Sequence, residues 1–364
     1  MADCTKRFCD DAERFHNCCG RAKLPLCLAR RSNAAPPIPR MRILFLLILL
    51  AGNFFAQAQS PVASLQKTSI SGKDYVRITQ WARSNQFHLQ WIVNEKQLRA
   101  TNKVARLVFD MNSRRAQING INFVLSLPVL FQNKTVYISA ADLQNTLHPV
   151  LYPVKNVTNE IVNTICLDAG HGGRDPGKLD GRMQEKTFTL LLAEEVERIL
   201  KQLGFKVVQT RESDRTLELW DRHTIADANN ADLFVSLHYN AAPNKNVHGT
   251  EIYCLTPEGS SSSNGAVGDS PAPRYPAHNL NGKNILLAYQ MQKALVKNLK
   301  VEDRGVKRSQ FLVLVKPKCP AILIEAGFMT HADESKRIYN SEYRKRMALA
   351  IVDGILAYKK VVER

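Results

Sequence analysis

From Ile165 to the C-terminus, short apolar runs alternate with amphipathic helical stretches, and this alternation limits the fold more than any other feature of the chain. Ile165 to Leu167, Lys206 to Thr210, Asp232 to Leu237, Gly249 to Leu255, Phe311 to Val315 and Ala321 to Glu325 read as strands. Between them, Phe188, Leu191, Leu192, Val196, Ile199, Leu200 and Leu203 recur on one helical face, with Gly204 as a stop signal. Further helices are expected over Leu217 to Asn229, over Asn284 to Leu299, and over residues 341–359, where Tyr343, Met347, Ile351, Ile355 and Tyr358 keep helical spacing. Such a pattern predicts an α/β fold, a mostly parallel sheet flanked by helices. The run between Thr256 and Lys283 lacks apolar periodicity and is expected to be a long surface loop.

Residues 73–153 read differently. Tyr75 to Thr79 and Phe87 to Val93 alternate, Val104 to Phe109 is apolar, and Asn119-Gly120 separates two alternating segments, a hairpin signal. Asn133-Lys134 turns the chain before Thr135 to Ser139, and Ala141 to Leu147 closes the segment as a short helix. This is expected to be a small β-rich α+β module for binding or spacing, set between linkers at 59–72 and 154–164. The second domain is expected to span 165–360.

Residues 41–58 have the layout of a secretory signal: Arg42, an apolar run from Ile43 to Phe55, then the small-x-small site Ala56-Gln57-Ala58. The run is too short to span a bilayer, so no stable membrane span is expected after cleavage. The product should be exported, to the periplasm or cell-wall space. Residues 1–40 hold five of the eight cysteines without metal-site spacing, and they precede the signal. We therefore expect translation to begin at Met41 and residues 1–40 to be a mis-called upstream extension. Cys166, Cys254 and Cys319 remain; Cys166 and Cys319 border apolar runs, as small buried thiols do. The net charge of +17 falls to +12 over residues 59–364, once Arg42 and the eight basic and four acidic residues of 1–40 are set aside. That surplus suits a polyanionic partner, but no nucleic-acid motif is present, so DNA and RNA are not expected.

Chemistry concentrates around Ile165–Gly177, where a strand breaks into a loop of four glycines and a proline with His171 in its middle. His238 ends the strand Leu233 to Leu237, Glu325 ends the strand Ala321 to Ile324, and Glu185 opens the first helix. Taken singly, Glu185 reads as a helix N-terminal charge, His238 as a satisfied strand-end histidine and Glu325 as half of an ion pair. Together they can meet at the carboxyl edge of one sheet, where α/β folds place ligands. Two histidines and a glutamate suit catalytic zinc with a fourth position left for water, and a carboxylate on an apolar strand suits a general base.

Asp168-Ala-Gly-His-Gly-Gly-Arg-Asp-Pro-Gly177, Glu185-Lys186, Thr210-Arg211, Ser236-Leu-His-Tyr-Asn-Ala241 and Glu325-Ala-Gly-Phe328 resemble, in order, the motifs of the zinc-dependent N-acetylmuramoyl-L-alanine amidases of the amidase-3 type. The resemblance runs from about Ile165 to Tyr358. It implies a twisted sheet flanked by helices, Zn2+ held by His171, Glu185 and His238, and Glu325 as catalytic base. It also implies cleavage of the amide between N-acetylmuramic acid and L-alanine of peptidoglycan. Asn240 is expected to contact substrate. Lys178 and Tyr239 depart from the family's small residues. Some members carry a helix that plugs the zinc, but the insertion at 257–283 lacks helical periodicity, so no plug is expected. Residues 73–153 resemble the stalk-type domain named after copper amine oxidases, without copper ligands, and could engage a wall-associated partner. The rival readings are a non-catalytic peptidoglycan-binding protein and another zinc amide hydrolase or peptidase on this fold.

Overall fold

The computed structural model describes residues 64–157, 160–263 and 270–363, all within one unit of the chain. The expected extension at 1–40, the signal at 41–58, the start of the 59–72 linker and part of the 256–283 loop lie outside the described residues.

The N-terminal strands are β1 (Lys67–Ile70), β2 (Lys73–Arg77), β3 (His88–Val93), β4 (Gln97–Thr101), β5 (Arg106–Asp110), β6 (Ser113–Ile118), β7 (Ile121–Gln132) and β8 (Thr135–Ser139), with helix α1 (Ile78–Ser84) after β2. β3 to β7 form an antiparallel meander. Asn119-Gly120 turns the chain as expected, both residues at positive φ. The Tyr75 to Thr79 segment turns helical after Arg77, because Trp81 and Ala82 bury better on a helix against Phe87 than on a strand. Helical turns α2 (Ala140–Asp142) and α3 (His148–Leu151) close the module, joined by a wider π turn over Leu143–Leu147.

The second part contains β9 (Thr164–Ala169), the two-residue strands β10 (Leu179–Asp180) and β11 (Met183–Gln184), α4 (Glu185–Gln202), β12 (Lys206–Gln209), α5 (Leu219–Ala228), β13 (Leu233–Asn240) and β14 (Thr250–Leu255). It continues through α6 (Asn281–Leu299), β15 (Asp303–Ser309), β16 (Ala321–Phe328), α7 (Ala332–Tyr339) and α8 (Ser341–Val362). The strand order is β12-β9-β13-β16-β14-β15, parallel throughout except for the antiparallel β14–β16 pair. The expected fold class therefore holds: a mostly parallel sheet with helices on both faces.

Strand periodicity sorts the core into two layers. Ile165, Leu167, Leu233, Val235, Ile322 and Ile324 face the layer beneath α4, α6 and α8. Cys166, Phe234, Ala321 and Leu323 face the opposite layer, covered by Ala226 of α5 and by Val313 and Leu314. All three C-terminal cysteines are buried free thiols, as small core residues are.

One expected strand is absent. Phe311 to Val315 forms a short 3-10 turn over Leu312–Leu314, and the strand lies earlier at Asp303–Ser309. Arg304, Lys307 and Arg308 make that strand polar in sequence, yet each has a buried partner; Arg308, for instance, donates to the Leu255 carbonyl from a nearly inaccessible position. β15 also pairs in parallel with β7 through Val306 and Phe123, so the sheet runs on into the N-terminal module. Asp303 fastens that seam: its Oδ2 accepts from the Asn122 amide at 2.8 Å, and its carbonyl accepts from the Asn122 side chain at 2.8 Å.

Candidate metal centre

The sheet register lines up the functional side chains. Ser236 lies opposite Asp168, and His238 lies opposite Glu325. Glu325 in turn lies opposite Glu251 of β14. All of these residues follow the α5-facing parity of their strands: Asp168 and His238 lie near the carboxyl ends of β9 and β13, Glu325 lies in the second half of β16, and Glu251 lies near the start of the antiparallel β14.

Asp168 anchors the group. It is fully buried and accepts from Arg222 Nη1 at 2.8 Å, Thr210 Oγ1 at 2.7 Å and Ser236 Oγ at 2.7 Å. Burial alone would raise its carboxyl, but Arg222 and the two hydroxyls hold it below the usual carboxylate range. The same arginine donates to the Ala169 carbonyl and, at 2.9 Å, to the His171 carbonyl. A second buried arginine, Arg211, donates to Ala169 and Gly170. Four carbonyl contacts from two guanidinium groups thus shape the loop, and His171 sits in it at a φ of 62°.

His171 is aimed by its neighbour four residues on. Asp175 Oδ2 lies 2.7 Å from Nδ1, which leaves Nε2 facing Glu185 Oε1 at 3.0 Å. His238 Nδ1 approaches the same oxygen at 3.1 Å. The Glu185 carboxylate is positioned from the backbone as well, by the Tyr239 amide at 3.0 Å and the Lys178 amide at 2.8 Å. Burial would raise this carboxyl too, but the hydrogen bonds from His171 and His238 outweigh it and hold the group well below its ordinary range. At His171 burial disfavours the proton, yet Glu185 and Asp175 together favour it more strongly.

Two glycines make the approach possible. A Cβ on Gly170 would lie 2.3 Å from His238 Cε1, and one on Gly177, at a φ of +65°, would lie 2.6 Å from Glu185 Oε2. One ligand atom from each of His171, Glu185 and His238 lies within 4.8 Å of the others. Two imidazoles and one carboxylate, converging with an orienting carboxylate behind one imidazole, fit a divalent transition metal.

Glu325 borders the group and shares with it a cleft of about 500 Å³ whose apolar wall includes Leu219, Phe311 and Val313. Its Oε2 is buried without a hydrogen-bond partner. Burial, reinforced by the Glu185 and Glu251 charges and only partly opposed by Lys307, pushes its carboxyl well above the ordinary value. Asn240 also lines the cleft, but its Nδ2 donates to Glu251 at 2.7 Å and its Oδ1 accepts from the Ala241 amide. The other histidines stand apart. His248 pairs with the His331 ring, His278 Nε2 donates to the Thr256 carbonyl, and His223 is buried against Trp220.

Residues 165–357, more than half of the chain, match the family model described as N-acetylmuramoyl-L-alanine amidase. The chain belongs to that family. Family members are in general metal-dependent hydrolases of the cell wall. Over 196 residues the chain is 36% identical to the uncharacterized protein YqiI of Bacillus subtilis, covering 54% of this chain and 84% of that protein. It is 32% identical over 207 residues to the N-acetylmuramoyl-L-alanine amidase LytC of Bacillus subtilis, covering 56% of this chain but 38% of LytC. To the N-acetylmuramoyl-L-alanine amidase AmiA of Escherichia coli it is 29% identical over 218 residues, 53% of this chain and 75% of AmiA. Among solved structures, the catalytic domain of CwlV from Bacillus (Paenibacillus) polymyxa is 31% identical, with a TM-score of 0.46 over 55% of this chain and 99% of that one.

Sequence reasoning passed over Glu251, Arg222 and Lys307. A charged residue inside the apolar run Thr250–Leu255 was the available signal for Glu251; Arg222 and Lys307 carry none without the fold. Two outcomes are expected. Asp168→Ala should lower unfolding stability by about 3–5 kcal/mol, because it strands the buried Arg222 charge, as denaturant titration would measure. Asp175→Asn should weaken metal affinity by about 10–100-fold with little effect on stability, read by titration against a competing chelator.

Proposed function

We propose that this protein is an exported, zinc-dependent N-acetylmuramoyl-L-alanine amidase that hydrolyses the amide between N-acetylmuramic acid and L-alanine in peptidoglycan. Family membership supports the reaction class. The observation that carries the mechanism is a carboxyl without a hydrogen-bond partner on its buried oxygen, Glu325, beside a converging His171–Glu185–His238 group.

His171, Glu185 and His238 would hold Zn2+, and the metal when bound supplies Lewis acidity toward the substrate carbonyl and toward water. This chain's own residues do the rest. Asp175 holds the proton on His171 Nδ1, so that Nε2 stays turned toward Glu185. The Tyr239 and Lys178 amides fix Glu185. Glu325 accepts the proton of the attacking water and passes it to the departing L-alanine nitrogen, a role that its elevated carboxyl suits. Leu219, Phe311 and Val313 exclude bulk solvent from one side of the reacting group. Asn240 contacts the substrate through what remains of its hydrogen-bonding capacity.

The apolar run Ile43 to Phe55 and the site Ala56-Gln57-Ala58 support export to the periplasm or cell-wall space. No helix among the described residues is long and apolar enough to cross a membrane. The excess of basic residues suits an anionic wall. Residues 73–153 serve as a stalk-like module that engages a wall-associated partner.

Digestion of purified peptidoglycan should release stem peptides beginning with L-alanine and leave intact glycan strands, as mass analysis of the products would show. A chelator should abolish the release and Zn2+ restore it. Glu325→Ala should keep its metal and lose about 10²–10⁴-fold in kcat. Cleavage at another bond would favour a different amide hydrolase on this fold, and full activity in the Glu325 variant would refute the assigned base.

A further inference from the structure

Beside Glu325 lies a second buried carboxylate that the reaction above does not use. Glu251 is 2% exposed and points to the same side of the sheet, directly opposite Glu325 in the antiparallel β14–β16 pair. Across the sheet the order is therefore His238, Glu325, Glu251. Two carboxylates placed face to face on neighbouring strands repel each other, so the pair needs compensation.

Four donors supply it, and all four go to Glu251. Oε1 accepts from Asn240 Nδ2 at 2.7 Å and from the Tyr253 hydroxyl at 2.8 Å. Oε2 accepts from Arg304 Nε at 2.9 Å and from the Lys307 ammonium. Arg304 is further fixed over the Phe328 ring at 5.0 Å, and Lys307 lies over the Tyr253 ring at 5.7 Å, its side chain 14% exposed. Glu325 Oε2 receives no donor. Yet Lys307 is close enough for its charge to act on Glu325 as well as on Glu251. One flexible ammonium is thus shared electrostatically by two carboxylates and bonded to one of them.

We propose that Glu251 is a positioning residue that sequesters the Lys307 ammonium and so keeps Glu325 free of an ion pair. Tyr253, Asn240 and Arg304 preorganise the Glu251 carboxylate, which makes it the better partner for Lys307. Without the Glu251 charge, the ammonium's four-carbon stem lets it turn to Glu325. A salt bridge there would hold the Glu325 carboxylate and weaken it as a base. Glu251 also holds Asn240, so the same carboxylate sets one wall of the cleft. The inference rests on the reading of Glu325 as the base.

The test is a double-mutant cycle on the metal-loaded full chain, with kcat and KM measured on a defined muropeptide, alongside metal content and thermal midpoint. Glu251→Gln should lower kcat by at least about tenfold with metal content unchanged and KM changed far less than kcat. Adding Lys307→Met to that variant should restore most of the lost kcat, a recovery that loss of a merely structural group would not show. Should Glu251→Gln alone not fold, the double variant, which leaves no unpaired ammonium, is compared with Lys307→Met: equal kcat supports the proposal and a lower kcat in the double variant overturns it. Full kcat in the Glu251 variant, or a double variant no faster than the single one, would overturn the proposal. Glu325→Gln is run in parallel. If it is inactive while the cycle shows no rescue, this inference alone fails; if it stays active, the assignment of the base fails.

Discussion

The buried ion pair between Asp168 and Arg222 is the contact on which the site depends. It joins the end of β9 to α5, and through Thr210 and Ser236 it reaches the end of β12 and into β13. An isolated carboxylate in that position would be strongly disfavoured, and so would an isolated guanidinium. Having found each other, they leave Arg222 with donors to spare, and these go to the Ala169 and His171 carbonyls. The loop that carries His171 is therefore held by the same charge that stabilises the strand end. Ligand geometry and core stability are one problem here.

The five carboxylates around the cleft are each treated differently. Asp168 is neutralised by an arginine and two hydroxyls, Asp175 by His171 and the Gly177 amide, and Glu185 by two histidines and two amides. Glu251 collects two cations, a tyrosine hydroxyl and an amide. Against these, Glu325 stands out because its buried oxygen has been given nothing. Proteins leave a buried polar atom unpartnered at a cost of about 1–3 kcal/mol, and such an atom at a cleft wall is a candidate for chemistry. The contrast among five acids, more than any one of them, sets Glu325 apart from Glu185.

The seam between β15 and β7 gives the chain a continuous sheet where the sequence suggested two modules joined by a linker. The linker region itself packs locally on the last helix: the Asn156 amide donates to the Val362 carbonyl at 2.8 Å, and Lys359 Nζ donates to the Val162 carbonyl at 2.7 Å. Arg304 and Lys307, the cations on Glu251, stand on the strand that meets the N-terminal module.

By itself the sequence determined the α/β class, the order of most strands and helices, and the members of the His171, Glu185, His238 and Glu325 group. Those are local properties: apolar runs of strand length, helical stripes, a glycine-rich break, and polar residues placed where a run ends. Tertiary structure alone decided the rest. The strand at Asp303–Ser309 was hidden because its charged residues look solvated until their buried partners are known, so the apolar Phe311 to Val315 was favoured in its place. Glu251 and Arg222 were passed over because their roles depend on partners 53 to 56 and 51 to 54 residues away along the chain. Periodicity reports which face a side chain takes, but only register and crossing strands report what it meets there.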